Sequence, residues 1–271
     1  MSTQRTVVIT GSASGIGAAT AQLAREQGDR VIGVDLRDAD VIADLSTPEG
    51  RTQAAEKAIA AAEGRIDAVI ACAGIAAPIP KTLSINYFGV VELLQALRPT
   101  LAESAAPRVV AVSSMASLQP APAELVEALL AGDEALALER AEAYTSQDQQ
   151  TAYAVYPASK RALSRWLRRA AVTDEWAGAG IPLNAVAPGT VLTPMTKELL
   201  ATEESRAFVD QSVPMPLNYH QPPESVASLL LFLASPATTH TTGQTVYCDG
   251  GADAVLRGDD IWSWNDPQPQ S

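Results

Sequence analysis

The sequence predicts an α/β fold in which one doubly wound parallel sheet lies between two layers of helices, a three-layer α/β/α arrangement. Short β-branched runs such as 6–9 and 108–112 alternate along the chain with stretches rich in Ala and Leu. Strands that alternate with helices form βαβ units, whose right-handed crossovers cover both faces of a parallel sheet. The runs are apolar throughout, as is typical of strands buried on both sides. A glycine-rich turn after the first strand is the third observation.

This turn, residues 10–17, reads Thr-Gly-Ser-Ala-Ser-Gly-Ile-Gly and leads directly into a helical stretch. Glycine at positions 11, 15 and 17 allows a sharp turn and a close approach of the backbone to a pyrophosphate, which the N–H groups of a helix N-terminus attract. The pattern predicts a Rossmann-type nucleotide-binding loop. A glycine-rich turn without a ligand is the alternative interpretation.

The second strand, at 30–34, ends in Asp35, which lies 18 residues beyond Gly17. At about this offset a carboxylate binds the adenosine ribose hydroxyls of NAD and repels the 2′-phosphate of NADP. Asp35 therefore favours NAD. Arg37 leaves NADP open as an alternative.

Later segments continue the alternation of strands and helices. We expect a short strand at 41–45, a helix from 48 to about 63, a strand at 66–71, a helix over 83–96 and a strand at 108–112. Because ligands of such sheets bind beyond the carboxyl ends of the strands, the loops at 10–17, 35, 72–74, 114 and 188–189 should gather at one edge.

Residues 118–151 interrupt this rhythm. Pro120 and Pro122 open the segment, and 124–131 and 133–143 then favour two helices. The sequence predicts an inserted helical hairpin that acts as a lid or a subunit contact, since the segment holds no cluster of nucleophile, base or metal ligands.

Tyr156 and Lys160 lie four residues apart, on one face of a predicted helix. A phenol with a pKa near ~10 is a poor acid or base at pH 7, and a neighbouring ammonium lowers that pKa by favouring phenolate. The pair predicts an acid/base for a reaction that adds hydride to a carbonyl or removes it from an alcohol. A surface Tyr-Lys neighbour pair without function is the alternative.

Composition narrows the classes of function. The formal net charge of −12 argues against nucleic acid and anionic membranes as partners. No apolar run approaches the ~18 residues of a membrane helix, and the first strand leaves no room before it for a signal peptide, so we expect a cytoplasmic protein. Cys72 and Cys248 are expected to be buried thiols. We expect one domain over 1–257, with a partly disordered tail over 258–271.

Taken together, the motifs resemble those of the short-chain dehydrogenase/reductase family over essentially the whole chain. They are, in order, the 10–17 loop, Asp35, Ala73-Gly74, Asn86, Ser114, Tyr156 with Lys160, and Pro188-Gly189 with Thr193.

The resemblance implies that Tyr156 is the acid/base and that Lys160 lowers its pKa and holds the nicotinamide ribose. It implies that Ser114, in preference to Ser113, hydrogen bonds the substrate oxygen, and that Asn86 orders a water in a proton relay. Adenine contacts are implied for Asp44 and Leu45, and contacts to the nicotinamide carboxamide and phosphate for Val191 and Thr193. The full set of implied NAD contacts is Gly11, Ser14, Gly15, Ile16, Gly17, Asp35, Leu36, Asp44, Leu45, Ala73, Gly74, Tyr156, Lys160, Val191 and Thr193.

Two departures from the family pattern are visible. Ala71-Cys72 stands where the family often has two asparagines, although the small Ala73-Gly74 still permits close approach of the cofactor. Ser114 and Tyr156 are 42 residues apart, unusually far for the family, so the insertion precedes the helix that many members use to form tetramers. We expect a homo-oligomer, a dimer rather than a tetramer.

The predicted substrate is an uncharged, hydrophobic ketone or secondary alcohol, with a 3α-hydroxysteroid/3-oxosteroid pair as the first candidate. The predicted pocket walls are mostly apolar: 76–79, Met115, Tyr153, Leu192, Met195 and 196–220. Met and Pro within 214–217 could equally serve packing. Terpenoid, alicyclic or aromatic alcohols are the alternative substrates, and a non-catalytic NAD(H)-sensing protein is the alternative of another class.

Overall fold

Seven parallel strands form one sheet in the computed structural model, which describes residues 4–217 and 219–265. Their order across the sheet is β3-β2-β1-β4-β5-β6-β7. The chain starts in the middle, at β1, winds outward to β3 and then returns past β1 to wind the other way. The strands are β1 Thr6–Thr10, β2 Arg30–Asp35, β3 Val41–Ile42, β4 Ala68–Ala71, β5 Arg108–Val112, β6 Leu183–Pro188 and β7 Thr245–Cys248.

Helices cover both faces of the sheet, as the three-layer prediction requires. They are α1 Gly15–Glu26, α2 Pro48–Ala61, α3 Lys81–Leu83, α4 Gly89–Leu101, α5 Ala123–Leu130, α6 Glu134–Thr145, α7 Gln149–Tyr153, α8 Val155–Ala170, α9 Glu203–Ser212, α10 Pro223–Ala234 and α11 Ala252–Arg257. Single π-helical turns occur at Ser84–Phe88 and Asp174–Gly178, and 3₁₀ turns at Met115–Leu118 and Ser263–Asn265.

The core consists of two clusters, one on each face of the sheet. Alternate strand residues divide between them: Val8 and Val69 pack towards α2, α4 and α8, whereas Val7 and Ile70 pack towards α1 and α10. Burial of apolar side chains on both faces is the main favourable contribution to folding of such a sheet. This arrangement confirms the predicted fold class and directs every strand's carboxyl end to one edge.

The segment predicted as an inserted hairpin holds α5 and α6, followed by the short α7, which we did not predict. Leu125 and Leu129 of α5 are fully buried and belong to the same core cluster as α8. The insertion is therefore part of the main core, and not a separate layer over it.

Two strand predictions were too long, and the strand predicted at 66–71 begins only at Ala68. Residues 41–45 were expected to be extended, but β3 ends at Ile42. The chain turns at Asp44, whose carboxylate accepts a hydrogen bond from Ser46 N (2.9 Å). Thr47 then caps α2 by accepting from Gly50 N (3.1 Å). A carboxylate bonded to a nearby backbone N–H competes with the strand ladder, which explains the early end.

No helix in the described part of the chain combines the length and apolarity that a membrane span requires. Of the tail predicted at 258–271, residues 258–265 are described and 266–271 lie outside the described residues. The predicted domain limits at 1–257 stay a prediction.

Candidate active site

The glycine loop turns tightly between β1 and α1. Gly11 and Gly15 have φ angles of +69° and +53°, a region that other residues rarely adopt. A Cβ on Gly17 would lie 2.1 Å from the Gly11 carbonyl oxygen, and one on Gly11 would lie 2.9 Å from Ala73 N. The three glycines are therefore required by sterics, and they bring the loop against the end of β4.

The backbone N–H groups at the N-terminus of α1 have no capping side chain among the described residues. Ser14 is the N-cap but makes no side-chain capping bond, and the first turn, which contains Ile16, has no acidic residue. The first-turn N–H groups carry partial positive charge and can accept an anion there. A cradle that a Cβ would fill, placed before an uncapped helix N-terminus, fits the pyrophosphate of a dinucleotide.

Asp35 ends β2 beside this loop. Its carboxylate accepts hydrogen bonds from Ala13 N (3.0 Å) and from Leu36 N (2.7 Å), which hold it at the edge of the sheet. Ser12 Oγ, in the same loop, is buried without a hydrogen-bond partner among the described residues. The position of Asp35 fits a carboxylate that binds ribose hydroxyls and excludes a 2′-phosphate.

Tyr156 and Ser114 meet across the cleft. Ser114 follows β5 and caps the 3₁₀ turn by accepting from Ala116 N (3.1 Å), and its side chain lies near enough to the Tyr156 phenol to lower the pKa of that phenol. Ser113 instead hydrogen bonds to Lys160 O (3.2 Å) and to Ser164 Oγ (2.7 Å), within the packing of α8. This geometry supports the choice of Ser114 over Ser113.

Lys160 lies one helical turn after Tyr156, on the same face of α8. Its Nζ donates to Val112 O (2.9 Å) and lies 6.0 Å from the centre of the Tyr156 ring. Burial lowers the pKa of Lys160 to about 8, because an ammonium loses hydration in this site.

The expected depression of the Tyr156 pKa does not hold for the protein by itself. Burial raises the pKa of Tyr156 above its ordinary value of 10.0, and the side chain of Ser114 lowers it by less. Lys160 does not reverse this, because its Nζ donates to Val112 O and is not among the groups that lower the pKa of Tyr156. The phenol is therefore protonated at neutral pH.

Asn86 lies in the π-helical turn, and its side chain is fully occupied. Oδ1 accepts from Ile75 N (2.9 Å), and Nδ2 donates to Ile75 O (2.9 Å) and to Ser159 Oγ (3.2 Å). A Cβ on Gly74 would lie 3.0 Å from Asn86 Oδ1. The side chain thus anchors the 74–75 loop, and neither of its amide hydrogens is left to donate to a relay water.

The residues predicted at adenine take different positions. Asp44 is half-buried, and hydrogen bonds from Ser46 lower its pKa despite an opposing effect of burial. Leu45 is buried in the core, and its carbonyl accepts from Arg51 Nε (2.9 Å). The side chain of Leu45 is therefore unavailable to adenine, and a contact through its main chain stays a prediction.

Val191 and Thr193 follow β6 and reach the glycine loop. A Cβ on Gly15 would lie 3.3 Å from the Thr193 methyl group. Thr196 Oγ1 donates to Val191 O (2.5 Å) and accepts from Thr193 N (3.1 Å), so this turn is held by its own hydroxyl.

A cavity of about 110 Å³ brings together seven of the predicted site residues: Ile16, Gly74, Ser114, Tyr156, Lys160, Val191 and Thr193. It is lined by Ile16, Cys72, Gly74, Ile75, Val112, Ser113, Ser114, Tyr156, Lys160, Pro188, Gly189, Val191, Thr193, Met195 and Thr196. Asp35, Leu36, Asp44 and Leu45 lie outside it, towards the β2 and β3 end of the same edge.

Sequence reasoning missed Ile75 and Val112 as lining residues, whereas Cys72 and Thr196 belong to the predicted 72–74 loop and 196–220 segment. Cys72 is the first residue after β4, so its place on the sheet edge was the available signal. Burial raises the pKa of the Cys72 thiol to about 12, which leaves it neutral. The same signal was available for Val112, the last residue of β5, and for Ile75, which directly follows Gly74.

The 214–217 stretch serves packing, at least in part. A Cβ on Gly189 would lie 3.1 Å from Met215 Sδ, and one on Gly250 would lie 2.9 Å from Met215 Cε. Pro214, Met215 and Pro216 also line a second cavity of about 480 Å³, together with Arg206, Asp210, Tyr219, His220 and Val255.

Comparison with known proteins places this site in a family. The family model described as short chain dehydrogenase matches residues 5–126, and that described as Enoyl-(Acyl carrier protein) reductase matches residues 140–253. The chain is 40% identical to a 3-alpha-hydroxysteroid dehydrogenase/carbonyl reductase from Comamonas testosteroni, over 93% of this chain and 97% of that protein. It is 30% identical to a coniferyl-alcohol dehydrogenase from a Pseudomonas species, over 92% and 96% of the two chains.

A solved structure agrees. The 3-alpha-hydroxysteroid dehydrogenase from Pseudomonas sp. B-0831, complexed with NADH, superposes with a TM-score of 0.86 at 40% identity and covers 94% of this chain and 100% of its own. Because the motifs, their order and the fold all coincide, the chain belongs to the short-chain dehydrogenase/reductase family of oxidoreductases.

Proposed function

We propose that this enzyme uses NAD(H) to interconvert an uncharged hydrophobic ketone and the corresponding secondary alcohol, with a 3α-hydroxysteroid/3-oxosteroid pair as the first candidate. The observation that carries the proposal is the placement of Ser114, Tyr156 and Lys160 in one cavity beside the glycine loop. The choice of a steroid as first candidate rests on the activities for which two relatives at 40% identity are named.

NAD is the cofactor, and its nicotinamide supplies or accepts the hydride. Gly11, Gly15 and Gly17 shape the pyrophosphate cradle, and Asp35 binds the ribose of the adenosine half. The carboxylate of Asp35 disfavours the 2′-phosphate of NADP by charge repulsion.

In the reductive direction, the Tyr156 hydroxyl donates its proton to the oxygen of the ketone. Ser114 holds that oxygen by a second hydrogen bond, which stabilises the negative charge that develops there. Because burial raises the pKa of Tyr156, the phenol is protonated and ready to act as an acid at neutral pH. Oxidation of an alcohol needs the phenolate and is therefore favoured at alkaline pH.

Lys160 binds the nicotinamide ribose and shares a helix face with Tyr156. Its ammonium, with a pKa of about 8, is mostly charged at pH 7 and favours the phenolate when Tyr156 gives up its proton. Asn86 supports this arrangement from behind, by fixing the 74–75 loop.

The rim of the cleft supports an apolar substrate. Leu192 and Met195 are half exposed, at 52% and 47%, next to the Val191 turn. Exposed apolar side chains beside an acid/base are typical of a site for a hydrophobic body with one polar group. An exposed Tyr153 ring, 5.9 Å from the Tyr156 ring, favours an aromatic or alicyclic alcohol as the second candidate. The coniferyl-alcohol relative is consistent with that alternative.

The test is absorbance at the NADH band with purified protein, NAD and a panel of steroid, terpenoid, alicyclic and aromatic secondary alcohols, repeated with NADP. We expect turnover of 3α-hydroxysteroids with NAD and little with NADP. Turnover of only smaller alcohols would replace the steroid by the second candidate. Binding of NADH without any turnover would support a non-catalytic sensor and contradict the proposed reaction.

A further inference from the structure

A segment that borders the cleft is closed at its base by one residue pair. Residues 192–220 carry α9 and leave the sheet after β6, and their two ends meet in a parallel bridge between Val191 and Gln221. Gln221 N donates to Thr190 O (3.1 Å), and Leu192 N donates to Gln221 O (2.9 Å). Gln221 thus bonds the residues on either side of Val191. In a parallel pair of this kind, the N–H and C=O of the bridged residue, here Val191, point away from Gln221.

The Gln221 side chain ties this base to the sheet. Nε2 donates to Cys248 O (2.7 Å), and Cys248 Sγ donates to Gln221 Oε1 (3.4 Å). Cys248 is the last residue of β7 and pairs with Pro188, and its carbonyl also accepts from Gly189 N (3.1 Å). The Gln221 residue is only 6% exposed.

Gln221 is therefore buried, and hydrogen bonds occupy its backbone N–H, its backbone C=O and both polar atoms of its side chain. A buried polar group with all its partners has one favoured orientation, since any rotation leaves a donor or acceptor unsatisfied. Its neighbour His220 adds a contact to α9, through Nε2 and Asp210 Oδ1 (2.7 Å). The base of the segment is thus fixed to the sheet at Gln221.

We propose that Gln221 is a positioning residue for the nicotinamide half of NAD, acting through the main-chain N–H and C=O of Val191. This rests on the proposed function, in which Val191 holds the carboxamide. A carboxamide needs one donor and one acceptor at a fixed spacing, and Gln221 sets the direction in which Val191 presents them. The Val191 carbonyl accepts from Thr196 Oγ1 and keeps a second lone pair for the carboxamide. The adenosine half depends on Asp35 and the glycine loop, which are held by β1 and β2 and do not touch Gln221.

Gln221→Leu tests this role, because leucine keeps the approximate volume and loses the amide. We expect the Kd for NADH, measured by fluorescence titration, to rise ~10-fold, the effect of losing about one hydrogen bond. The Kd for ADP-ribose, which lacks nicotinamide, should change by less than ~2-fold. Gln244→Leu is the matched control, since Gln244 is exposed and its side chain bonds only Thr242 O among the described residues. Both affinities should be unchanged in this control.

Equal weakening of NADH and ADP-ribose in Gln221→Leu would indicate a merely structural role and overturn the proposal, as would no change in either. If Gln221→Leu does not fold, Cys248→Ala decides: a selective loss of NADH affinity supports the proposal, and unchanged NADH affinity overturns it. Equal wild-type affinities for NADH and ADP-ribose would refute the Val191 contact and the positioning role together. Absence of turnover with selective NADH binding intact would count against the proposed reaction alone.

Discussion

The hydroxyl of Tyr156 is the only part of that side chain that Tyr156→Phe removes, so this substitution isolates proton transfer from packing. General acid catalysis contributes ~10²–10⁴-fold. We expect kcat for the preferred alcohol to fall by at least ~10²-fold, because Ser114 alone cannot deliver a proton at the substrate oxygen. The Kd for NADH should stay within ~3-fold of wild type, since the ring and Lys160 remain.

Initial rates and NADH titration check this prediction. Tyr153→Phe is the matched control, since Tyr153 lies one turn earlier with its ring beside Tyr156. It should keep most of the rate. Retention of more than a tenth of wild-type kcat by Tyr156→Phe would exclude the phenol as the acid/base.

The lowered pKa of Lys160 predicts how this side chain affects the free energy of unfolding. Burial lowers that pKa to about 8 from 10.5. Below pH 8 the folded state therefore contains a charged ammonium that burial destabilises. As pH rises from 8 to 10.5 the folded state gives up this proton first, and the penalty disappears. Lys160→Met should therefore abolish activity and yet stabilise the fold at pH 7, by at most ~3 kcal/mol.

Urea unfolding of wild type and Lys160→Met at pH 7 and pH 10 measures this effect. The gain in unfolding free energy should be clear at pH 7 and small at pH 10. Lys197→Met, at an exposed position, is the control and should change stability by less than ~0.5 kcal/mol at both. If the stability gained by Lys160→Met grew with pH, or if this variant were less stable than wild type at pH 7, the lowered pKa of Lys160 would be contradicted.

At the scale of residues, spacing predicted the chemistry but not its energetics. Tyr156 and Lys160 could be placed on one helix face from their separation alone. The direction of the Tyr156 pKa could not, because it depends on burial by residues far apart in the sequence. Asn86 shows the same limit: its amide is consumed by Ile75 and Ser159, and no local pattern indicates those partners.

At the scale of elements, one buried arginine joins α6 of the insertion to α2. Glu134 of α6 accepts two hydrogen bonds from Arg51 of α2, at 2.6 and 2.7 Å. Arg51 also donates to Leu45 O and Ser84 O and pairs with Glu92. Although burial opposes ionisation, the bonds from Arg51 lower the pKa of Glu134. The charge of this carboxylate therefore stabilises the fold at neutral pH and loses that effect on acidification.

Glu134→Gln should lower the free energy of unfolding at pH 7 by ~2 kcal/mol, because Arg51 is only 2% exposed and loses one of its two anionic partners. Chemical unfolding at pH 7 and pH 4 is the measurement, with a smaller difference expected at pH 4. Glu139→Gln lies on the exposed part of the same helix and should change stability by less than ~0.5 kcal/mol. Equal effects of the two substitutions would show that Arg51 does not need Glu134.

Helices and strands were predictable where periodicity and turn residues agree. The five-residue run 108–112 is a strand from end to end, and the Thr47-Pro48 start of α2 follows its capping residues. The predicted strand at 41–45 failed because a single carboxylate, Asp44, bonds its own turn. The π-helical turn at Ser84–Phe88 has no sequence signature of its own, although such turns often mark functional sites.

At the scale of the whole molecule, topology brings the site together. The loops after β1, β4, β5 and β6 contribute to one cavity because their strands are neighbours and parallel. Alternation of strands and helices was enough to predict this edge. Oligomeric state is a different matter: it depends on which exposed side chains meet a second copy, and the predicted dimer stays a prediction.

The last prediction concerns how the molecule unfolds. Since α5 packs in the main core and Arg51 joins α6 to the sheet side, the insertion should unfold with the rest in one cooperative transition. Far-UV circular dichroism reports all helices, whereas Trp fluorescence has its buried reporter in Trp176, packed against Trp166. The two melting curves should therefore coincide.

NADH at 100 times its Kd should stabilise the fold by ~2.7 kcal/mol and move both curves upward together by about 5 °C. Tyr156→Phe should show the same shift, because binding does not need the hydroxyl. Two separate transitions, only one of them moved by NADH, would instead show that the insertion folds independently of the site it borders.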